Sequence, residues 1–362
     1  MDNFSTRMNE IARFLSIVFF ALLVVQPIFA QDVEGTIESL PEDPLKKFIQ
    51  PLTNAVGANL NTGWINLAPE NKIKGLDIRF GLVGAGAFID SDEQVFQLID
   101  IFFPLSESSA TSVAQSITSN TALQNEIKNG LMSGDIDLKN EITSPTVFGS
   151  EDDFLVIRYP EQQVTVQGQT FTVPEQTINL EDVRGVLNDP GIFPTVVPQL
   201  SIGTFYGTQA TFRWLPNIKI NEEVGELAYF GFGIQHNPAA LLNAQLPVDL
   251  SLSFFTQTLE IGTGILDVTT TAFGLNASKT FGTFAASVTP YAGFLIEKSN
   301  MDISYDYEPS PGNTFPISIE LEGDNKSRFV LGLGLNLFGV NIFTDYNFSD
   351  TNTFNATLMY GF

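Results

Sequence analysis

From Ser327 to Phe348 the sequence SRFVLGLGLNLFGVNIFTDYNF alternates large apolar residues with small or polar ones almost without a break. Phe329, Leu331, Leu333, Leu335 and Leu337 fall on one face, against Arg328, Val330, Gly332, Gly334 and Asn336. Beyond LFGV (337–340), Val340, Ile342, Thr344, Tyr346 and Phe348 alternate with Asn341, Phe343, Asp345 and Asn347. Side chains return to the same face every two residues in a strand and every 3.6 in a helix, so this period specifies strands.

The pattern recurs. LPVDLSLSF (246–254) sets Leu246, Val248, Leu250, Leu252 and Phe254 against Asp249, Ser251 and Ser253. TQATFRW (208–214) and ELAYFGFGIQ (226–235) behave alike, and TFNATLMYGF (353–362) places Phe354, Ala356, Leu358, Tyr360 and Phe362 on one side. The formal charge is −24, yet mean hydropathy is +0.11 and Phe alone supplies 32 residues. The acids are concentrated in GSEDDF (149–154), NEEVGE (221–226), LEGDN (321–325) and FSDTN (348–352), leaving long uncharged segments between them.

Two architectures use such strands. A soluble sandwich turns the apolar face inward, whereas a membrane barrel turns it to lipid and its polar face to the lumen. The segments run about 10–14 residues, the length of a tilted bilayer span rather than the 5–6 of an ordinary strand. Their second faces carry Gly and neutral polar residues, and aromatics sit near segment ends (Trp214, Tyr229, Tyr346, Tyr360 and Phe362), where an interface girdle belongs. The expected fold is therefore all-β, an antiparallel transmembrane β-barrel with a short N-terminal helical plug segment.

Placing the C-terminus in the periplasm orders the connections. SDTN (349–352), YEPSPGN (307–313), EIGTG (260–264) and PNIKINEEVG (216–225) fall outside, while LFGV (337–340), KTFG (279–282), NPAALLNA (237–244) and TFYG (204–207) fall inside. Long acidic connections thus alternate with short neutral ones. Nine strands lie between about 194 and 362, and GLDIRFGLVGAGAF (75–88) is the first strand. FLVIRYP (154–160) and VTVQGQTFTV (164–173) read as a further hairpin in the wall, for about twelve strands, ten or fourteen being the other even counts that fit.

The N-terminal part is not wall. Arg7 and Arg13 flank the apolar run FLSIVFFALLVV (14–25), too short to span a bilayer, and a small residue follows at Ala30. The expected reading is a signal peptide cleaved after Ala30. There is no cysteine, so neither a disulfide framework nor a lipid-bearing cysteine exists. Residues 31–70 form the plug segment: Pro44 opens a helix and Phe48, Leu52, Val56 and Leu60 share one face, with Pro51 as a kink point. Residues 71–362 form the barrel, with a large insertion at about 90–190 in which 106–132 is Ser/Thr-rich and helix-forming.

The blocks LPNIKI (215–220), FGFGIQHN (230–237) and LPVDLSLSF (246–254), with PLTNAVGANLNTGW (51–64) and the closing YGF, carry a resemblance. They resemble an uncharacterised β-barrel family of Gram-negative outer membranes, a domain of unknown function, which implies fold and location but no activity. In layout alone, a helix ahead of a barrel is similar to the FadL-type transporters of hydrophobic compounds.

Catalysis finds little support. His236 is the only histidine, at the inner end of a strand, and no nucleophile signature accompanies it, so it is assigned a contact at the periplasmic turn. One His and no Cys disfavour zinc or iron, and SEDD (150–153) and SDTN (349–352) lack EF-hand spacing. GLVGAGAF (81–88) contains GAG, better explained by small residues where a plug approaches than by dinucleotide binding. Clustered Lys and Arg are absent, which excludes nucleic acid as a partner.

Function is sought in the lumen. Arg213, Gln235, Asp249, Ser251, Arg328, Asn336, Asn341 and Asp345 are its lining candidates, joined by Gln209, Thr211, Ser253 and Asn347. Arg213, Asp249, Arg328 and Asp345 are expected to pair across it. A charge-poor, Gly-lined, plugged lumen points to a narrow channel or transporter for a small hydrophobic compound, without cofactor. The alternative is a closed structural barrel whose acidic loops bind a partner, and a lipid-modifying enzyme ranks below both. Tyr360 and Phe362 form the aromatic end that barrel-assembly machinery reads.

Overall fold

The computed structural model describes residues 42–101, 107–136, 138–166, 168–221, 225–242, 246–262, 266–310 and 313–361. The expected signal peptide and the terminal Phe362 lie outside them. No helix among the described residues is long and apolar enough to cross a membrane.

Ten antiparallel strands close into a barrel: β1 (Lys74–Phe88), β2 (Ile192–Phe205), β3 (Thr208–Asn221), β4 (Gly225–His236), β5 (Asp249–Ile261), β6 (Leu266–Ser278), β7 (Ala286–Ser310), β8 (Ser327–Leu337), β9 (Val340–Phe348) and β10 (Thr353–Gly361). Each pairs with its sequence neighbours, and β1 pairs with both β2 and β10, which removes the last free edge. The seam register sets Phe80 opposite Tyr360 and Val83 opposite Thr357. From Asn300 onward β7 also pairs with Asn313–Glu322, while its ladder with β6 continues as far as Ile303, so that the hairpin extends beyond the wall past that residue.

The alternation decides what each face meets. Along β10, Thr353, Asn355, Thr357 and Met359 are buried while Phe354, Leu358 and Tyr360 are exposed. The same holds on β8, where Phe329, Leu331, Leu333, Leu335 and Leu337 all point out. With Phe230, Leu252, Phe273, Leu275, Phe294 and Ile342 also exposed, this belt is far too apolar for water and fits lipid. Tyr229 departs from the expected girdle: it faces inward, buried, with its hydroxyl donating to Gln257 (2.6 Å). It shares the inward register of Gly231, Gly233 and Gln235.

The connections define two rims. Residues 206–207, 237–242, 246–248, 279–285 and 338–339 form a turn rim. The opposite strand ends, at Phe88 and Ile192, Asn221 and Gly225, Ile261 and Leu266, with the β7 hairpin and 349–352, mark an insertion rim. The expected alternation of lengths is not strict, because 237–248, with its short helix Ala239–Leu242, exceeds 262–265 on the opposite rim.

The count of twelve wall strands is corrected to ten. Phe154–Tyr159 pairs with Glu141–Pro145 and Gln176–Arg184 in a separate four-stranded sheet that also holds Val95–Ile99. Gln162–Val166 and Gln169–Val173 form a hairpin of their own. Strands of five or six residues are too short for a bilayer, which needs about 9–11. Their alternation buries Leu155, Ile157 and Tyr159 against local partners instead.

Two compact units result, one of Leu52–Ile89 with residues 190–361, the other of residues 42–51 with 90–189. In the second, helices α1 (Glu107–Ile117) and α2 (Thr121–Ser133) occupy the Ser/Thr-rich stretch and pack on each other. Asn120 caps α2 by accepting from the Ala122 and Leu123 amides, and Gly134 ends it at φ +83°. Leu45, Phe48 and Ile49 are buried in this unit, where the Val147 amide donates to the Phe48 carbonyl (3.0 Å). These three belong to the helix Glu42–Leu60, which runs on through Pro51 into the barrel unit.

Candidate functional site

The barrel has no open bore at the level of its wall arginines, because residues 52–70 run through it. At the insertion rim, Asn54 Nδ2 donates to Asp324 Oδ2 (2.7 Å) and the Asp324 amide donates back to Asn54 Oδ1 (3.1 Å). Asn59 Nδ2 donates to the Phe193 carbonyl at the start of β2 (2.7 Å). At the turn rim the Ala68 amide donates to Ser278 Oγ (3.0 Å) and Asn237 Nδ2 donates to the Pro69 carbonyl (2.8 Å). The chain leaves there, with the Gly207 amide donating to Lys72 O (3.0 Å), and turns back into β1.

Midway the segment is part of a core. Trp64 and Ile65 are buried with Phe255, Ala272, Tyr291, Leu295, Val330, Phe343 and Met359 from the wall. Trp64 stacks at 4.9 Å from Phe255, and its Nε1 donates to the Leu60 carbonyl (2.9 Å). The wall glycines explain themselves here: a Cβ at Gly231 or Gly233 would meet the Trp64 ring at 3.0 and 2.8 Å. A cavity lined by Asn59, Leu60, Val83, Ala85, Arg213 and Tyr229 holds about one water molecule.

The end of the helix Glu42–Leu60 is held by two wall cations. The last carbonyls of a helix lack intrahelical donors and carry its negative dipole end, and this helix has no basic residue in its last turn. Arg328, fully buried, donates from Nη2 to the Ala58 carbonyl (2.9 Å) and to Glu297 Oε1 (2.9 Å), and from Nη1 to Thr62 Oγ1 (2.5 Å). Arg213, also buried, donates from Nη1 to the Thr62 carbonyl (2.9 Å) and from Nε to Gln199 Oε1 (2.8 Å). Its guanidinium lies 4.0 Å from the Trp64 ring centroid.

This arrangement replaces the expected pairing among Arg213, Asp249, Arg328 and Asp345. Arg328 pairs with Glu297, and among the described residues Arg213 pairs with no carboxylate, because the threaded carbonyls take the role of the acids. Asp345 accepts from Tyr291 Oη (2.7 Å), Asn355 Nδ2 (2.6 Å) and Asn347 Nδ2 (2.6 Å). Asp249 is half-buried at the turn rim and accepts from Asn237 Nδ2 (3.4 Å).

The remaining inward candidates form wall-to-wall bonds. Gln235 donates toward Ser253 Oγ and Asn276 Oδ1 (both 3.5 Å), and Ser251 bonds the same Asn276 oxygen. Gln209 donates toward Thr211 Oγ1 (3.5 Å), and Asn336 to Asn341 Oδ1 (2.9 Å). His236 points outward and meets Thr208 Oγ1 through Nδ1 (3.0 Å), so it touches the neighbouring strand, and Asn237 fastens the turn and the threaded segment. Tyr360 faces out against Phe80 of β1, ring centroids 6.0 Å apart.

Glu297 is the principal residue missed in the sequence. The register Tyr291, Gly293, Leu295, Glu297 marks it as inward, but the sequence reading counts this strand in the wall without assigning its faces. Among the described residues no group of three or more His, Asp or Glu side chains is placed to hold a metal ion.

A family model matches residues 8–362. The chain belongs to that family, a family of unknown function (DUF6588). No curated protein matches it in sequence. Among solved structures it is similar to OmpTΔL8, a loop L8 deletion mutant of an outer membrane protein of Vibrio cholerae, at 8% identity over 80% of this chain and 100% of that one, TM-score 0.22. It is also similar to the β domain of the Bordetella autotransporter BrkA, at 9% identity over 80% and 100%, TM-score 0.20. A triple mutant of the Rh. blastica porin matches at 9% identity over 78% and 100%, TM-score 0.11. Scores this low leave the barrel to be argued from this chain's own strand pairing, and the FadL-type layout gains no support from them.

Proposed function

We propose that this protein is an outer-membrane barrel that its own chain keeps closed, and that it anchors the unit inserted between β1 and β2 at the cell surface. The single observation that carries this is the pair Arg213 and Arg328, fully buried in the wall and bonded to the carbonyls of residues 58–62 inside the lumen. An arginine withdrawn from water needs its donors satisfied, so removing the threaded segment strands two buried cations. That cost favours a permanent fit over a loose plug. The lipid-suited belt and the closure of the described wall strands into one ring support the membrane location, and the even strand count supports an outer-membrane type of barrel.

The channel reading keeps one supporting observation. Much of the inward wall is neutral and polar (Gln199, Ser201, Gln209, Ser251 and Asn276 are all buried), which would suit water if the segment moved out. Conductance across a planar bilayer separates the two. The closed anchor gives no sustained current from purified, folded protein, and steady current or compound-dependent flux into liposomes would replace it with the transporter.

A further inference from the structure

The path of the threaded segment has a consequence for where the N-terminal part of the chain ends up. Asn54 and Asn59 bond Asp324 and Phe193, both at the insertion rim, while Ala68 and Pro69 bond Ser278 and Asn237 at the turn rim. Followed backwards from β1, the chain therefore enters at the turn rim, crosses the full depth of the wall and emerges at the insertion rim. We infer that the barrel carries the chain preceding Leu52 across the membrane, leaving residues 42–51 on the face to which 90–189 is also attached.

A second, independent route agrees. Residues 42–51 are an integral part of the unit formed with 90–189, where Leu45, Phe48 and Ile49 are buried and Val147 bonds Phe48. That unit's other two links to the barrel, after Ile89 and before Pro190, both leave from the insertion rim. A single folded unit cannot lie on both sides of a bilayer, so its first link must leave by the same rim.

The crossing also orders assembly. A lumen packed by Trp64 and Ile65, with two arginines fixed to carbonyls of the segment, gives no passage for a helix once the wall is closed. The segment must be in place while β1 and β10 are still apart. Thr62 and Gly63 sit at that seam: Thr62 Oγ1 bonds Thr353 Oγ1 (2.6 Å), and a Cβ on Gly63 would meet Val83 of β1 at 2.7 Å and Asn355 of β10 at 2.8 Å.

The inference rests on the barrel being membrane-spanning, and its test separates it from the orientation assumed above. The chain has no cysteine, so single cysteines report position without background. Lys47→Cys, Asp350→Cys at the insertion rim and Lys279→Cys at the turn rim, all exposed positions, are probed with a membrane-impermeant maleimide on intact and permeabilised cells. Each variant is first checked for a heat-dependent gel shift. Lys47→Cys labels in intact cells to the same extent as Asp350→Cys, and Lys279→Cys only after permeabilisation. Label on Lys47→Cys that tracks Lys279→Cys, or that is absent in both states, overturns the inference. If Lys47→Cys and Asp350→Cys both need permeabilisation and Lys279→Cys does not, the crossing stands and the proposed orientation falls.

Discussion

The guanidinium of Arg213 lies 4.0 Å from the centroid of the Trp64 ring, one from the barrel wall and the other from the segment inside it. The contact joins two parts of the chain that share no secondary structure, and it makes the lumen a packed interior. A pore lined by the same residues would leave both side chains in water. Here both are buried, so their truncation falls on stability.

Trp64→Ala removes the centre of the lumen core and the face on which Arg213 rests. A large aromatic lost from a core costs about 3–5 kcal/mol. Urea unfolding of detergent-folded protein is expected to show a lower midpoint and a loss of unfolding free energy of that size, with wild-type strand content retained below the transition. An unchanged midpoint would mean the segment does not pack in the lumen.

Arg328 and Glu297 are exposed by 0% and 1% at 2.9 Å. Arg328→Met leaves a buried carboxylate without its cation, and breaking such a pair costs about 3–5 kcal/mol. Adding Glu297→Leu removes the stranded charge, so the double variant is expected to be more stable than Arg328→Met alone. A double-mutant cycle by thermal unfolding measures the recovery.

Gly63 and Gly168 have nearly the same positive φ, +73° and +78°, but different surroundings. A Cβ on Gly168 meets nothing within 4 Å, whereas one on Gly63 collides with Val83 and Asn355 across the seam. Gly168→Ala is expected to cost only the left-handed backbone penalty, about 1–2 kcal/mol, and to assemble. Gly63→Ala is expected to lose the heat-dependent gel shift, and equal shifts in both variants would refute the role of this turn in closure.

Leu333, 41% exposed near the middle of β8, tests the lipid belt. Arginine on the lipid face of a barrel costs about 2–4 kcal/mol at the bilayer midplane. Leu333→Arg is expected to lower folding yield into vesicles, while Ser349→Arg, beyond the end of β9, leaves it unchanged.

The ten wall strands were legible because a period of two sustained over nine or more residues, as in β9 and β10, admits no other element. The hairpin at 154–173 has the same period and was placed in the wall wrongly. Its strands of five or six residues were the signal, and length separates a bilayer span from an ordinary sheet. Tyr229 is misplaced in the girdle and Glu297 is not singled out, although the period of two along their own strands points both inward.

Alternation is a local property, so the sequence by itself determined which residues face lipid, where the chain turns and that the barrel closes on its last strand. The partner of each inward side chain is a matter of which distant residue shares its depth in the lumen. The sequence offered Arg213 and Arg328 two aspartates, and only the tertiary structure placed the end of a helix between the walls, where its unpaired carbonyls outcompete those acids by proximity. The same threading decided on which face the chain before Leu52 emerges.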